Sequence, residues 1–238
     1  MPEKLYFEYG EKEVSHLKKR DAVLGRLIDE IGHIYRTVTP DMFTALINSI
    51  VGQQISTKAQ ATIWGRIRER FSPITPENIG KASEADLQSC GISFRKASYI
   101  KEIAESALNG SLNLTELQKQ PDDEVSKRLS RLKGIGVWTA EMLMIFSMQR
   151  PDVMSIDDLA IIRGLRMLYR HRKITPALFV KYKKRYSPYA TVASLYLWAI
   201  AGGICPHLTD PAPKARKKVK KTGEAREATP KIVLRKKP

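Results

Sequence analysis

Apolar residues recur along this chain at three- and four-residue intervals, the spacing of one helical face. Residues 13–34 place Val14, Leu17, Leu24, Leu27, Ile28 and Ile31 on such a face and predict one long helix. Thr39-Pro40 reads as a helix start, with Thr39 as cap and proline in the first turn, followed by DMFTALINSIVG. Ser56 and Thr57 restart a helix carrying Ile63, Trp64 and Ile67, and Thr75-Pro76 and the pair Ser83 and Asp86 mark two further starts. Helical periodicity returns near 95–109, 122–131, 137–149, 157–170, 176–185 and 188–202. Alternating runs joined by a hairpin dipeptide are lacking, so the pattern predicts an all-α fold of roughly ten helices.

The pattern fails after residue 207. Residues 208–238 contain four prolines and 11 Lys and Arg against 3 Asp and Glu, which predicts a disordered basic tail. Such a tail can attract phosphates, keep the chain soluble or serve as a nuclear import signal. Residues 1–207 are the expected folded region.

Charge changes the picture next. The 238 residues carry 41 Lys and Arg against 25 Asp and Glu, a formal +16, and half of that excess belongs to residues 1–207. A basic folded region with a basic tail suits a polyanion. Hydrophobic residues at 42% are enough for a sizeable core. The two cysteines, Cys90 and Cys205, form no CxxC or Cys/His cluster, which argues against a zinc or iron–sulfur site and for reduced thiols. The charged N-terminus shows no signal-peptide core, and no apolar run reaches 18 residues, so no membrane span is expected.

The sharpest motif is Leu132-Lys133-Gly134-Ile135-Gly136-Val137-Trp138-Thr139-Ala140, between the helical runs DDEVSKRLSR and VWTAEMLMIFSM. Gly134 and Gly136 allow a tight turn and the close approach of another backbone. The second helix then offers unpaired amides, those around Thr139 among them, to an anion, with the Lys133 charge beside them. The expected ligand is a DNA phosphate, held without reading sequence. A helix corner needing glycine only for packing would look similar. The GxG follows a helix rather than a strand, so it is no dinucleotide fingerprint.

Downstream, Ser155-Ile156-Asp157-Asp158-Leu159 opens another helix. One aspartate suffices as cap, and Asp157 is the expected one. A second carboxylate beside a phosphate grip suggests chemistry. Breaking an N-glycosidic bond builds positive charge on the sugar, which a carboxylate stabilises while orienting or deprotonating water.

These segments together resemble the helix-hairpin-helix (HhH-GPD) superfamily of base-excision DNA glycosylases, and within it the AlkA-type 3-methyladenine DNA glycosylases II. The likeness runs from about residue 40 to 202. It includes Gly52-Gln53-Gln54-Ile55-Ser56, GISFRKASYI (91–100), the hairpin, Asp157-Asp158-Leu159, Ser187-Pro188-Tyr189 and Leu197-Trp198. The resemblance implies a two-lobed helical fold with a DNA-binding cleft and a central lobe at about 40–150. It makes Asp158 the catalytic acid. Bifunctional relatives place a lysine two residues past the second glycine, where this chain has Trp138, so water is the expected acceptor and an abasic site the product. Trp138, Trp198 and Tyr189 fall where such enzymes place aromatics of the base pocket, suited to a cationic alkylpurine. Gln53 and Gln54 fall at the element that contacts DNA and fills the gap left by a flipped base, Gln54 being the wedge.

The resemblance also allows a sodium or potassium ion on the carbonyls of Ser130, Leu132 and Ile135; no other cofactor is implied. Ala190, Ala160 and Ser155 depart from residues frequent in the family, arginine, glycine and proline respectively. Residues 1–39 read as helix and loop, so the N-terminal β domain of longer relatives is not expected. The partner is double-stranded DNA with damaged bases; no membrane and no obligate protein partner are inferred, and a monomer is the default. Localisation would be cytoplasmic and nucleoid-associated in a bacterium or archaeon, nuclear in a eukaryote. The competing readings are a glycosylase for uracil or mismatched thymine, and a non-catalytic DNA-binding module with the same hairpin.

Overall fold

The computed structural model describes residues 5–212. Thirteen helices are found among them, more than the periodicity separates. The first seven are α1 Glu11–Arg20, α2 Ala22–Ile31, α3 Met42–Gly52, α4 Thr57–Phe71, α5 Pro76–Lys81, α6 Glu84–Ser89 and α7 Phe94–Leu108. The rest are α8 Leu114–Leu117, α9 Asp122–Leu129, α10 Val137–Phe146, α11 Leu159–Tyr169, α12 Pro176–Tyr186 and α13 Ala190–Ala201. The one pairing of extended backbone among the described residues is an isolated bridge between Tyr6 and Thr37.

Local capping chemistry set several starts where the sequence placed them. Ser56, Thr75 and Ser83 accept amides from the first turns of α4, α5 and α6, and Ser83 forms a capping box with Asp86. Two expectations are corrected. The helix expected over 13–34 is two helices, because Asp21 turns extended and caps α2, accepting from the amides of Val23 (3.0 Å) and Leu24 (2.9 Å). The cap of α3 is Asp41, not Thr39: Asp41 Oδ1 accepts from the Thr44 amide at 2.7 Å, while Thr39, two residues earlier, is tied by its own amide to the carbonyl of Phe146 at 2.8 Å.

The helices pack in two groups: α3, α4, α5, α6, α7, α9 and α10 against one another, and α1, α2, α11, α12 and α13 against one another. Their buried apolar side chains form one continuous cluster. α13 is buried along most of its length. α11 approaches it so closely that a Cβ at Gly164 would fall on the Leu197 backbone, 2.9 Å from its carbonyl carbon.

Two polar devices fix the second group. The buried Asp21 accepts, on its other oxygen, from the Tyr169 hydroxyl (2.7 Å) and Arg185 (2.6 Å), joining α2 to α11 and α12. The segment 147–158 is fastened to the start of α13: Thr191 Oγ1 accepts from the Val153 amide (2.9 Å) and donates to the Arg150 carbonyl (2.6 Å), and Asp152 accepts from the Ala190 amide (3.1 Å).

The basic tail expected from residue 208 falls mainly outside the described residues, at 213–238. Its first residues are packed. Leu208 lies against the core and Asp210 pairs with Arg166 of α11, so the folded region runs past the expected boundary at 207.

Burial alone would raise the Asp21 carboxyl, but the bonds from the Leu24 amide, Arg185 and Tyr169 outweigh it and hold the group below the usual carboxylate range. Its folded value thus lies below the unfolded one, so its stabilisation is complete above the unfolded value and fades as pH falls through the folded one. Asp21→Ala strips a helix cap and leaves Arg185 unpaired, and is expected to lower unfolding free energy by about 3 kcal/mol or more in urea titrations at neutral pH. The gap to wild type should narrow in acid.

Candidate active site

The hairpin is formed by the end of α9, the turn 130–136 and the start of α10. Gly134 carries the left-handed backbone of the turn (φ +84°). The Tyr99 ring of α7 packs so tightly on it that a Cβ would sit 2.6 Å from a ring carbon. Gly136 is extended, and a Cβ there would meet nothing within 4 Å. The turn therefore needs only one glycine for conformation, and the second leaves open space at the helix start.

No side chain caps α10, and its first amide with a backbone partner is that of Ala140, donating to Gly136 at 2.9 Å. The amides of Val137, Trp138 and Thr139 thus point outward from a ten-residue helix, a concentration of positive partial charge. The Thr139 side chain is buried. Only its backbone is disposed toward an anion. The Lys133 ammonium is exposed but pairs with Glu102 at 2.7 Å, which raises its pKa above the usual lysine value. A phosphate would have to compete with that carboxylate.

Asp158 begins α11. Its Oδ1 accepts from the amides of Ala160 and Ile161, both at 2.9 Å, and its Oδ2 accepts from the indole Nε1 of Trp138 at 3.0 Å. This corrects the expectation that Asp157 is the cap: Asp157 is exposed, and Asp158 both caps the helix and faces the hairpin. Asp158 is 7% exposed while Trp138 is 46% exposed, so the indole nitrogen is held while much of that residue stays in solvent.

The other expected aromatics are dispersed. Trp198 stacks on Phe146 (centroids 5.5 Å), with the Arg36 guanidinium 5.4 Å from the Phe146 ring and 6.0 Å from that of Trp198. Trp138, Met142 and Phe146 share one face of α10 at four-residue spacing, so Trp198 lies beyond the far end of a stripe about 12 Å long that starts at Asp158. A 160 Å³ cavity is lined by Met142, Phe146, Asn48, Ser49 and Gln60 among others. Tyr189 is not brought to Asp158; its ring meets the His16 ring of α1 edge-on at 5.2 Å.

Gln53 and Gln54 follow α3. Gln53 turns inward: its side-chain Nε2 donates to the Gly134 carbonyl at 2.6 Å. Gln54 is exposed, with a left-handed backbone (φ +56°) that is rare outside glycine. In the turn, the Leu132 carbonyl accepts from the Ile135 amide (3.0 Å), while those of Ser130 and Ile135 accept from no backbone amide among the described residues. Cys90 and Cys205 are buried, and burial pushes both thiols up. Among the described residues no three His, Cys, Asp or Glu side chains cluster as metal ligands, and no helix is long and apolar enough to cross a membrane.

Sequence reasoning missed Glu141, Phe146 and Arg36. Glu141 follows Trp138 by three residues on α10 and is more than half buried; burial pushes its carboxyl up, and the charges of Asp157 and Asp158 act the same way against the opposing Lys183. Its helical phase with Trp138 was visible in the sequence. Arg36 sits in a loop with no local signal.

The sequence profile of the HhH-GPD superfamily base excision DNA repair proteins matches residues 47–185. The chain is 36% identical over 194 residues to the DNA-3-methyladenine glycosylase 1 of Schizosaccharomyces pombe, covering 77% of this chain and 84% of the yeast protein. The crystal structure of a DNA-3-methyladenine glycosidase from Bacillus halodurans superposes with a TM-score of 0.78 at 36% identity, over 86% of this chain and 95% of that one. A Schizosaccharomyces pombe 3-methyladenine DNA glycosylase in complex with abasic DNA superposes at 0.69 and 32% identity, over 81% and 97%.

The raised Glu141 carboxyl makes a signed prediction. With its folded value above its unfolded one, the folded state holds more proton, so this group costs stability as pH rises through and beyond the ordinary carboxyl range. Glu141→Gln should therefore melt higher than wild type at neutral pH, with the advantage shrinking at pH 4 in thermal unfolding scans.

Proposed function

The chain belongs to the HhH-GPD superfamily of base excision DNA repair proteins, and from that membership we propose that it is a monofunctional DNA glycosylase that hydrolyses the N-glycosidic bond of alkylated purines. The observation that carries the reading is the 3.0 Å bond from the Trp138 indole to the Asp158 carboxylate. The chain holds a carboxylate beside its phosphate-binding turn. The position that would carry an attacking amine holds an indole instead, and that indole orients the carboxylate.

The amides of Val137, Trp138 and Thr139 bind a DNA phosphate next to the lesion, and Gln54 fills the gap in the stack as the damaged nucleotide flips out. The flipped base enters between the two groups of helices, along the Trp138, Met142 and Phe146 face that ends at Trp198. A purine methylated at N3 or N7 is cationic in DNA, and the indole ring attracts it. As the bond from C1′ to the base nitrogen breaks, its electron pair leaves with the base and positive charge builds on the sugar. Asp158 Oδ1 is occupied by helix amides, so Oδ2, with a lone pair beyond its bond to Trp138, faces that charge. Water adds to C1′ from the opposite side and loses its proton toward the same carboxylate. The products are free base and an abasic site. The carbonyls of Ser130, Leu132 and Ile135 would hold a monovalent cation, which would fix the turn and add positive charge near the phosphate. DNA is the substrate partner, and the compartment is wherever that DNA resides.

Duplexes bearing 3-methyladenine, 7-methylguanine, 1,N6-ethenoadenine, uracil or 8-oxoguanine test the reading by measured base release. Alkylated purine should be freed without strand nicking. Asp158→Asn, which keeps the capping oxygen and removes the charge, should lose on the order of 100-fold or more in rate with DNA affinity retained. Trp138→Phe, which keeps a ring and removes the donor, should lose about tenfold. Release of uracil in place of alkylpurine would move the assignment to another base, nicking without heat or amine would end the monofunctional reading, and binding without release would leave a DNA-binding module.

A further inference from the structure

Gln54 stands in a backbone conformation that a glutamine adopts only when its surroundings impose it. Two side chains brace the residues that lead into it. From α7, the Lys96 ammonium donates to the carbonyls of Val51 (2.9 Å) and Gln53 (2.7 Å), which flank the end of α3. From the loop itself, the Gln53 amide reaches 81 residues along the chain to the Gly134 carbonyl. Among the described residues no carboxylate pairs with Lys96, and burial pushes its ammonium down from the usual lysine value. This partly buried ammonium therefore directs two of its hydrogen bonds to loop carbonyls rather than to a carboxylate. One turn further along α7, Tyr99 packs on Gly134. A single helix thus braces both the loop and the hairpin, and Gln53 joins the two directly.

We propose that Lys96 and Gln53 are positioning residues that hold Gln54 ready to enter the duplex before DNA arrives and tie its placement to the hairpin that grips the phosphate. The proposal rests on the reading of Gln54 as the gap-filling residue. Without the fasteners the loop relaxes from its left-handed turn, and insertion must then order it at the expense of binding energy. The requirement is confined to duplex DNA, because a single strand has no partner stack to open.

Single-turnover release of 1,N6-ethenoadenine from matched duplex and single-stranded oligonucleotides separates this from a general structural role. A 2-aminopurine beside the lesion reports unstacking in the same samples. Lys96→Met should slow duplex release about tenfold or more, with a matching loss of the fluorescence change, and alter single-strand release by less than about twofold. Lys96→Arg should restore most of the duplex rate. Gln53→Leu should give the same loss of fluorescence change and keeps the proposal testable should Lys96→Met fail to fold. Lys96→Met combined with Gln54→Gly should be no slower on duplex than Gln54→Gly alone. Equal slowing on both substrates, or losses that multiply in the double variant, would overturn the proposal. A duplex-specific loss in Gln54→Gly without one in Lys96→Met or Gln53→Leu would sink the positioning role and leave the gap-filling reading standing. No duplex-specific loss in Gln54→Gly would remove both.

Discussion

The arrangement of this protein depends on where one carboxylate is held. Asp158 is gripped by two amides of the helix it begins and by the indole of the helix that follows the hairpin, so three N–H groups from two elements converge on it. Each bond to a charged acceptor is stronger than its neutral equivalent. They fix the distance between the hairpin turn and the carboxylate, and in the proposed reaction that distance has to match the span from a DNA phosphate to its own sugar. The fastening of segment 147–158 to the start of α13 serves the same end, because it leaves the carboxylate little freedom to drift.

The helical content, the hairpin and the carboxylate after it were legible in the sequence because each is written in adjacent residues. Caps such as Ser56, Thr75 and Ser83 act within three residues, so their chemistry and their reading coincide. What escaped was decided at long range. Asp21 breaks a helix because Tyr169 and Arg185 wait 148 and 164 residues away. Thr39 is held at the distant Phe146 carbonyl while Asp41 caps the helix. Asp157 and Asp158 are indistinguishable in a linear pattern, and only the indole across the gap separates them. Tyr189 belongs to α1 through His16, a contact with no trace in its own neighbourhood.

Polar groups in this fold carry information between distant segments. The Asp21 cluster sets how α2, α11 and α12 meet, while Lys96 and Gln53 set how the loop after α3 meets the hairpin. Apolar packing alone tolerates slippage among helices of similar shape, whereas a buried carboxylate or a partly buried ammonium with only one satisfying arrangement does not. The two systems lie in different groups of helices and share no residue.

Gly164 has a consequence of another kind. It is the point where α11, which begins at Asp158, touches the backbone of α13, which carries Trp198. The thickness of one missing methyl group therefore sets the spacing between the helix that Asp158 begins and the helix that carries Trp198. A side chain there would push α11 off α13 and carry Asp158 away from Trp198 with it.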